Sequence, residues 1–405
     1  MTTARCELVD PALTRWYHCI SRCVRRAFLC GEGFEHCKTW IENRLQTLAE
    51  NFAVSVGGFA VMDNHLHVLC RLDGDGSAQW SAGKGTMIAA AFEYVPNQGD
   101  AWQYILNALE RDIGEMLVST APDIAEATSG DSTDKIEFEP FVSHLPMIRV
   151  IGERTGQLHR ALADGQNDAN FSAEAIGKAT LKRWRKITLT RAKRAFASLR
   201  SARTSLSEDA QLLADHFLAE REKVESFVKD VAGHSFDASL TRIHGDLHLG
   251  QVLIAEEDCV ILDFEGEPAR PMQQRREKGS PMQDVAGMLR SLDYLRQTVA
   301  QRLSNENPAT AERTQVLLDE WHERSTVAFL TGYRLGAGDT LGVPNATREA
   351  ALLLRYFMLD KALYEINYEA ANRPRWIGIP VIGAMRLTNE ASWTRKLWEA
   401  SDGAS

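Results

Sequence analysis

The sequence has 405 residues, of which 44% are hydrophobic and 25% are charged. Such values are typical of globular proteins and exclude wholesale disorder, and a net charge of -9 argues against general nucleic-acid binding, which needs surplus Lys and Arg. No apolar run approaches the roughly 20 residues of a membrane helix, and the N-terminus lacks the apolar core of a secretory signal. We therefore expect a soluble, cytoplasmic protein with no membrane partner.

The cysteines are distributed unevenly along the chain. Six of the seven lie within the first 70 residues, and only Cys259 lies beyond them. Histidines close to the front cysteines leave a structural zinc site open as an alternative, but the sequence has no C-x-x-C pair. Reduced thiols in a small front domain are the favoured interpretation.

The front of the chain predicts a small α+β unit. Residues 15–22 and 65–71 have the composition of strands, and residues 34–50 carry a helical apolar stripe. Residues 52–62 predict a further strand with a bulge at Gly57-Gly58. A Gly/Ser-rich stretch follows and marks a junction to the rest of the chain.

The remainder of the chain predicts a mostly helical domain. An apolar strand at 87–95 comes first, an acidic loop covers 120–140, and a compact β segment covers 239–265. The predicted helices are 101–118, 142–164, 172–200, 207–232, 281–302, 309–335 and 346–371.

The densest chemistry lies between His244 and Glu267. Two predicted strands, 251–255 and 259–264, form a hairpin that places Asp246 and Asp263 near each other. Phosphoryl transfer needs a carboxylate to orient or deprotonate the attacking hydroxyl, and others to hold Mg²⁺. Gln251 is placed like the amide metal ligand of kinase catalytic loops, and His244 is expected to brace the loop. An ordinary hairpin with acidic ends is the structural alternative.

Several motifs resemble the maltokinases of the aminoglycoside-phosphotransferase and protein-kinase-like superfamily. They are HGDLHLGQVL, ILDFEGEPARP, RREKGSPMQDVAGMLRSLDYL, EYVPNQGDAWQY, ERTGQLHRALA and YEINYEAANRPRWIGIPVIG, spread over roughly residues 86–398. The resemblance implies an α+β, protein-kinase-like fold with a mostly helical C-lobe.

The resemblance also implies an activity and a set of functional residues. The reaction would be transfer of phosphate from ATP to maltose, giving maltose 1-phosphate, with Mg²⁺. Asp246 would be the catalytic base supported by His244, and Gln251 and Asp263 would be the metal ligands. The backbone of Glu93, Tyr94 and Val95 would contact adenine. Trehalose synthase, to which such kinases also occur fused, is an implied partner.

Two segments could hold the sugar, because both carry planar polar groups or aromatic faces. Their candidate residues are Glu267, Arg275, Arg276, Lys278, Lys361, Tyr364 and Glu365. For the second segment, the alternative is a solvated helix face. Asp284 is expected to brace the catalytic loop, as is His248, without touching substrate.

The front segment resembles the start of an IS200-like, REP-associated tyrosine transposase of the HUH type. The motifs are WYHCISRCVRRAFLCGEG and AVMDNHLHVLCRLD, within residues 1–82. The resemblance implies a ferredoxin-like fragment in which His65 and His67, on one strand face, would form a vestigial divalent-metal pair. DNA would be a partner only if this segment works, and we expect no transposition, because the nucleophile helix of that family has no match.

These resemblances divide the chain at 1–82, 83–125 and 126–405, as a transposase-like segment, a hinge region and a kinase-like C-lobe. A kinase of this type needs a phosphate-covering loop and a Lys in an N-terminal lobe, and Ser81 to Thr86 do not match a P-loop. We therefore expect an incomplete N-lobe and turnover well below the roughly 1–100 per second of kinases. A DNA-acting HUH protein and an inactive maltose-binding remnant are the alternative functions. The join is a natural gene fusion, an insertion-generated remnant or an assembly artefact.

Overall fold

The structure is a computed structural model, and its described residues fall into two units. They are residues 16–22, 54–61, 65–72, 91–92, 95–119, 141, 143–164, 171–264, 266–267, 270–390 and 392–402. Residues 1–96 with 268–271 form the first unit, and residues 97–267 with 272–405 form the second.

The first unit contains an antiparallel four-stranded sheet. Its strands are β1 (Trp16–Arg22), β2 (Val54–Val61), β3 (His65–Leu72) and β4 (Ala91–Phe92), in the spatial order β2-β3-β1-β4. The register between β2 and β3 shifts between Val56 and Gly58, so the bulge predicted at the glycine pair is confirmed. The predicted helix at 34–50 and the Gly/Ser-rich junction lie outside the described residues.

The second unit is mostly helical, with two short β pairs. Its strands are β5 (Glu174–Ala175), β6 (Ser239–Leu240), β7 (Val252–Ala255) and β8 (Asp258–Ile261). Its helices are α1 (Ala101–Ser119), α2 (Leu145–Ala163), α3 (Lys178–Ala202), α4 (Glu208–Ala219), α5 (Arg221–Val231), α6 (Met272–Arg275), α7 (Met282–Glu306), α8 (Ala311–Ala337), α9 (Thr347–Asn372), α10 (Gly378–Asn389) and α11 (Trp393–Ala400).

The structure departs from the predicted elements at identifiable places. The stretch at 207–232 is two helices, since α4 ends before Glu220 and α5 begins after it. Helix α3 begins at Lys178 because Glu174 and Ala175 pair with β6 instead. Helices α10 and α11 were not predicted, and the loop at 120–140 lies outside the described residues.

Helices α2 and α8 pack with their backbones in close contact. Gly152 and Gly156 of α2 face Gly332 and Gly336 of α8, and the four-residue spacing puts each pair on one helix face. A Cβ added at Gly332 would lie 1.9 Å from the carbonyl oxygen of Arg149. Any side chain at this position would therefore force the two helices apart.

The core of the second unit surrounds α7, α8 and α9. The largest fully buried side chains include Trp321, Tyr333, Tyr356 and Phe329, on α8 and α9. Strand β7 packs its buried positions Val252 and Ile254 into the same core, so the hairpin is anchored on the helical body. No helix in the described part of the chain is both long and apolar enough to cross a membrane.

Candidate active site

A short hairpin brings Gln251 and Asp263 into contact. Strands β7 and β8 pair from Val252 with Ile261 to Ala255 with Asp258, and the amide of Leu262 extends the ladder to the carbonyl of Gln251. The side-chain amide of Gln251 then donates to the carboxylate of Asp263 at 3.0 Å. The hairpin thus places its two ends side by side, as the sequence predicts.

The imidazole of His244 connects the loop of Asp246 to the strand end before Asp263. Its Nδ1 accepts from the backbone N–H of Asp246 at 3.3 Å, and its Nε2 lies 2.7 Å from the carbonyl oxygen of Leu262. A ring that accepts at Nδ1 carries its proton at Nε2, so Nε2 donates to that carbonyl. His244 therefore holds the two carboxylate-bearing segments together.

Three residues near the site have left-handed backbones. Gly245 has φ of 84°, Asp263 of 69° and Gly266 of 71°. Glycine adopts this region without a steric penalty, but the same backbone conformation strains Asp263 by about 1–3 kcal/mol. Strain at a metal-ligand candidate indicates that the rest of the site holds the carboxylate in a required position.

Asp284 on α7 holds the backbone of the loop that carries Asp246, and we call this contact the clamp. Its carboxylate accepts from the backbone N–H of His244 at 2.7 Å and from that of Gly245 at 2.8 Å. His159 of α2 approaches the same carboxylate at 3.0 Å. Burial opposes the charge, but the hydrogen bond and the proximity of His159 prevail and lower the pKa of Asp284. The bracing role expected of Asp284 is therefore present in the geometry.

His159 is positioned in turn by the close packing of α2 and α8. Its Nδ1 lies 3.0 Å from the hydroxyl of Tyr333, whose pKa is raised by burial. The neutral hydroxyl donates to Nδ1, which leaves the proton of His159 on Nε2, facing Asp284. Neither His159 nor Tyr333 is predictable from the sequence, because their contact depends on the helix crossing.

The face of α7 that carries Asp284 also carries small residues that let the loop approach. Gly287 lies one turn after it, and a Cβ there would be 2.5 Å from the carbonyl oxygen of Leu247. Ser291, one turn further, accepts from the N–H of Leu249 at 3.2 Å. The spacing of Asp284, Gly287 and Ser291 is that of one helix face, and this is a signal that sequence reasoning could have used.

The residues at the hairpin end fit Mg²⁺ by their donor chemistry. Carboxylate and amide oxygens suit this hard cation, which keeps waters and takes nucleotide phosphate oxygens as further ligands. The amide of Gln251 would have to turn its oxygen toward the metal, a rotation that exchanges two atoms of similar size. Among the described residues, no group of three or more His, Cys, Asp or Glu side chains is arranged for a metal.

Lys361 of α9 lies beside Asp246, and Tyr364 of the same helix lies beside Lys361. The ammonium of Lys361 is 3.7 Å from the carboxylate of Asp246 and 5.3 Å from the centre of the Tyr364 ring. Arg191 of α3 lies 5.8 Å from the same ring and pairs with Asp360. The structure thus brings one of the predicted sugar residues, Lys361, to the candidate base, and places the ring of Tyr364 next to Lys361.

Glu365, the third candidate on that helix, is placed differently. Its carboxylate pairs with Arg290 at 2.8 Å and is almost fully buried. Burial raises its pKa in spite of the nearby cations Arg290 and Lys361. The structure gives Glu365 a core contact, because its position on α9 faces α7.

The other predicted sugar segment is dispersed. Glu267 is buried, and its charge acts on Arg191. A Cβ on Gly266 would lie 3.5 Å from the side chain of Arg275, Arg276 is exposed, and the amine of Lys278 pairs with Glu174 at 2.6 Å. Within this segment, Glu267 thus lies near Arg191, and Arg275 lies near Gly266. The sugar contacts of all four residues stay predictions.

All but one of the remaining site predictions fall in the first unit. His65 and His67 occupy alternate positions of β3, where they pair with Arg22 and Ile20 of β1. Glu93 and Tyr94 lie outside the described residues, and Val95 is half-buried. The vestigial metal pair, the adenine contact and the transposase resemblance stay predictions. His248, the other expected brace, accepts from the N–H of Gly250 at 3.1 Å.

Comparison with known proteins finds similarity to glucosamine kinases. No family model matches the chain. The chain is 27% identical to a glucosamine kinase of Mycolicibacterium smegmatis over 314 residues, which cover 76% of this chain and 65% of that kinase. It is 30% identical to one from Streptacidiphilus jiangxiensis over 156 residues, or 37% of this chain and 32% of that one.

Solved structures give the same result for the fold. A glucosamine kinase in crystal form B aligns with a TM-score of 0.55 at 20% identity, covering 80% of this chain and 65% of that one. A glucosamine kinase in complex with glucosamine, ADP and inorganic phosphate aligns with a TM-score of 0.53 at 21% identity, covering 74% and 60%.

These similarities support the expected resemblance to sugar kinases, but not the resemblance to maltokinases in particular. The chain spans about 65% of the length of the first kinase it matches. The relatives are named for glucosamine, so they give no support to maltose in particular. Over the aligned part, the chain has the fold of sugar kinases that bear the name glucosamine kinase.

Proposed function

We propose that this protein transfers the γ-phosphate of ATP to a hydroxyl group of a sugar. The observation that carries the proposal is the arrangement of Asp246, Gln251 and Asp263, joined through His244 and a 3.0 Å hydrogen bond between Gln251 and Asp263. A lone acidic hairpin would not need the buried clamp of Asp284 on the backbone of His244 and Gly245. This clamp supports a site whose geometry matters.

Asp246 is the proposed base in this reaction. Its carboxylate accepts the proton of the sugar hydroxyl while the sugar oxygen bonds to the γ-phosphorus and the bond to the ADP oxygen breaks. The products are a sugar phosphate and ADP, and the proton passes from Asp246 to solvent. Gln251 and Asp263 would hold Mg²⁺, which offsets the charge of the nucleotide phosphates.

Glucosamine is the first acceptor to test, because it is the sugar named in the relatives. One observation favours an uncharged sugar such as maltose as the second acceptor to test. Lys361 and Arg191 both lie within 6 Å of the centre of the Tyr364 ring, and Lys361 contacts Asp246. The ammonium of Lys361 beside the candidate base disfavours an amino sugar that carries an ammonium group, whereas the charge of Arg191 is offset by its ion pair with Asp360.

The experiment is a measurement of sugar-dependent ADP formation with glucosamine and maltose. A kcat/KM at least tenfold higher for one sugar identifies the acceptor, and no ADP formation above background with any sugar would contradict the proposal. Lys361→Met tests the charge argument, since it should lower KM for glucosamine and raise KM for maltose. Lys182→Met, a change at an exposed residue of α3, is the control and should leave both KM values unchanged.

A further inference from the structure

Helix α3 carries an unusual concentration of positive charge. Between Lys178 and Ala202 it has nine Lys or Arg residues and no Asp or Glu, in a chain whose net charge is -9. Its buried face is largely apolar, including Leu181, Trp184 and Phe196. Eight of the nine basic residues are exposed, and Arg191 is half-buried. The rest of the chain is therefore even more acidic than the total charge suggests.

The charge pattern works against the stability of the helix. Lys178, Lys182 and Lys186 follow one another at intervals of four residues, and Arg191 and Arg194 are three apart. Like charges at these spacings repel on a helix surface, whereas alternating signs would stabilise it. A surface that mixed the two signs would avoid this repulsion.

Part of this face forms a shallow groove that is open to solvent. Arg183, Lys186, Arg191 and Arg194 line a groove of about 370 Å³ together with Ile187 and Thr190. Arg183 pairs with Glu277 at 2.6 Å, and Arg191 pairs with Asp360. Lys186 and Arg194 are exposed and have no acidic partner among the described residues, so the groove retains a positive charge.

We infer that this groove binds a small organic phosphate. Guanidinium groups match phosphate oxygens in a two-pronged geometry, and the ammonium of Lys186 adds a point charge. The volume suits one small molecule, and the acidity of the remaining chain repels long polyanions such as nucleic acids. Ile187 and Thr190 offer an apolar floor and a polar edge for the organic part of the ligand.

The groove adjoins the acceptor side of the candidate active site. Arg191 lines the groove and contacts the ring of Tyr364, which Lys361 also contacts, and Lys361 reaches Asp246. A phosphorylated sugar and a nucleotide are the two sources of the ligand chemistry. Binding in the groove is separate from turnover, because it requires none of the proposed catalytic carboxylates.

The experiment is calorimetric titration of the full chain with glucose 6-phosphate, ADP and uncharged glucose, without Mg²⁺. The double variant Lys186→Gln/Arg194→Gln should weaken binding of at least one of the two phosphates about tenfold, the factor expected for losing charge-assisted hydrogen bonds. The tighter of the two ligands that depend on these residues identifies the source. Glucose should show no binding that depends on Lys186 and Arg194.

The matched control is Lys182→Gln/Lys193→Gln. It removes the same charge from exposed positions of the same helix that do not line the groove, and it should change affinity less than about twofold by general electrostatics. Equal weakening by both double variants, or unchanged binding in the groove variant, would overturn the inference. Failure of this test leaves sugar phosphorylation untouched, because that is measured by product formation.

Discussion

Two buried charge networks of the second unit show different uses of the same chemistry. Asp284 receives two backbone N–H groups of the loop that carries Asp246, together with the ring of His159. Arg290 instead pairs with Asp293 and Glu365, which are side chains of α7 and α9. The first network fixes a loop, whereas the second joins two helices.

The difference predicts which property each network controls. Hydrogen bonds to a backbone loop set the position of the residues it carries, so the Asp284 network should matter most for activity. A fully buried side-chain network contributes to stability through the cost of leaving one member unpaired.

Arg290→Met should reduce the free energy of unfolding by about 3–5 kcal/mol, because Asp293 and Glu365 lose their buried cation. Urea denaturation measures this change. Arg185→Met, at an exposed position of α3, should change stability by less than about 0.5 kcal/mol. The folded fraction of Arg290→Met should keep its kcat. A large loss of kcat without a loss of stability would show that the Arg290 network controls activity instead of stability.

The second network should also make the protein sensitive to acid. His322 lies 3.3 Å from Asp293, and burial lowers its pKa from 6.5 to about 4. The unfolded chain then binds a proton near pH 6.5 that the folded chain refuses until about pH 4. Stability should therefore fall as the pH decreases through this window, by up to about 3 kcal/mol for this residue.

The burial of His144 lowers its pKa to about 4 as well, so it should add a comparable contribution. Unfolding measured at pH 7 and pH 5 tests the effect, and His322→Gln should remove about half of the pH dependence. A pH dependence that is unchanged in this variant would show that His322 is not the source.

Asp284→Asn should lower kcat about a hundredfold, since an amide cannot accept from both loop N–H groups and from His159 as a carboxylate does. KM for the sugar should change much less. A loss of activity larger than the loss of stability would support the role of the Asp284 network in positioning the loop. A stable variant that retains full kcat would contradict this role.

Gly287→Ala should have the smallest effect of these variants, a loss of kcat of about tenfold. A Cβ would lie 2.5 Å from the carbonyl oxygen of Leu247, so α7 or the loop must shift. Gly114→Ala in α1 is the matched control, because its added Cβ meets nothing within 4 Å. That control should stabilise the protein by about 0.5–1 kcal/mol and leave kcat unchanged.

The parts of the site that lie close in sequence could be predicted, and the parts that depend on helix packing could not. The hairpin between Asp246 and Asp263 follows from local alternation and a short turn, so its ends had to meet. His159 and Tyr333 meet only because four glycines let α2 and α8 approach, and Arg290 reads in sequence as one more charge on an amphipathic helix. The sequence also predicts a sugar contact for Glu365, whereas the structure pairs it with Arg290. Its burial depends on which side of α9 packs against α7, and the sequence does not show this.

The central claim is tested most directly by transfer of labelled γ-phosphate from ATP to sugar in the wild-type chain, Asp246→Asn and Asp339→Asn. Asp339 is an exposed carboxylate after α8, so its variant is matched in chemistry. We predict labelled sugar phosphate from the wild type and Asp339→Asn, and at least about a hundredfold less from Asp246→Asn at unchanged stability. Equal labelling by Asp246→Asn and the wild type would contradict the account.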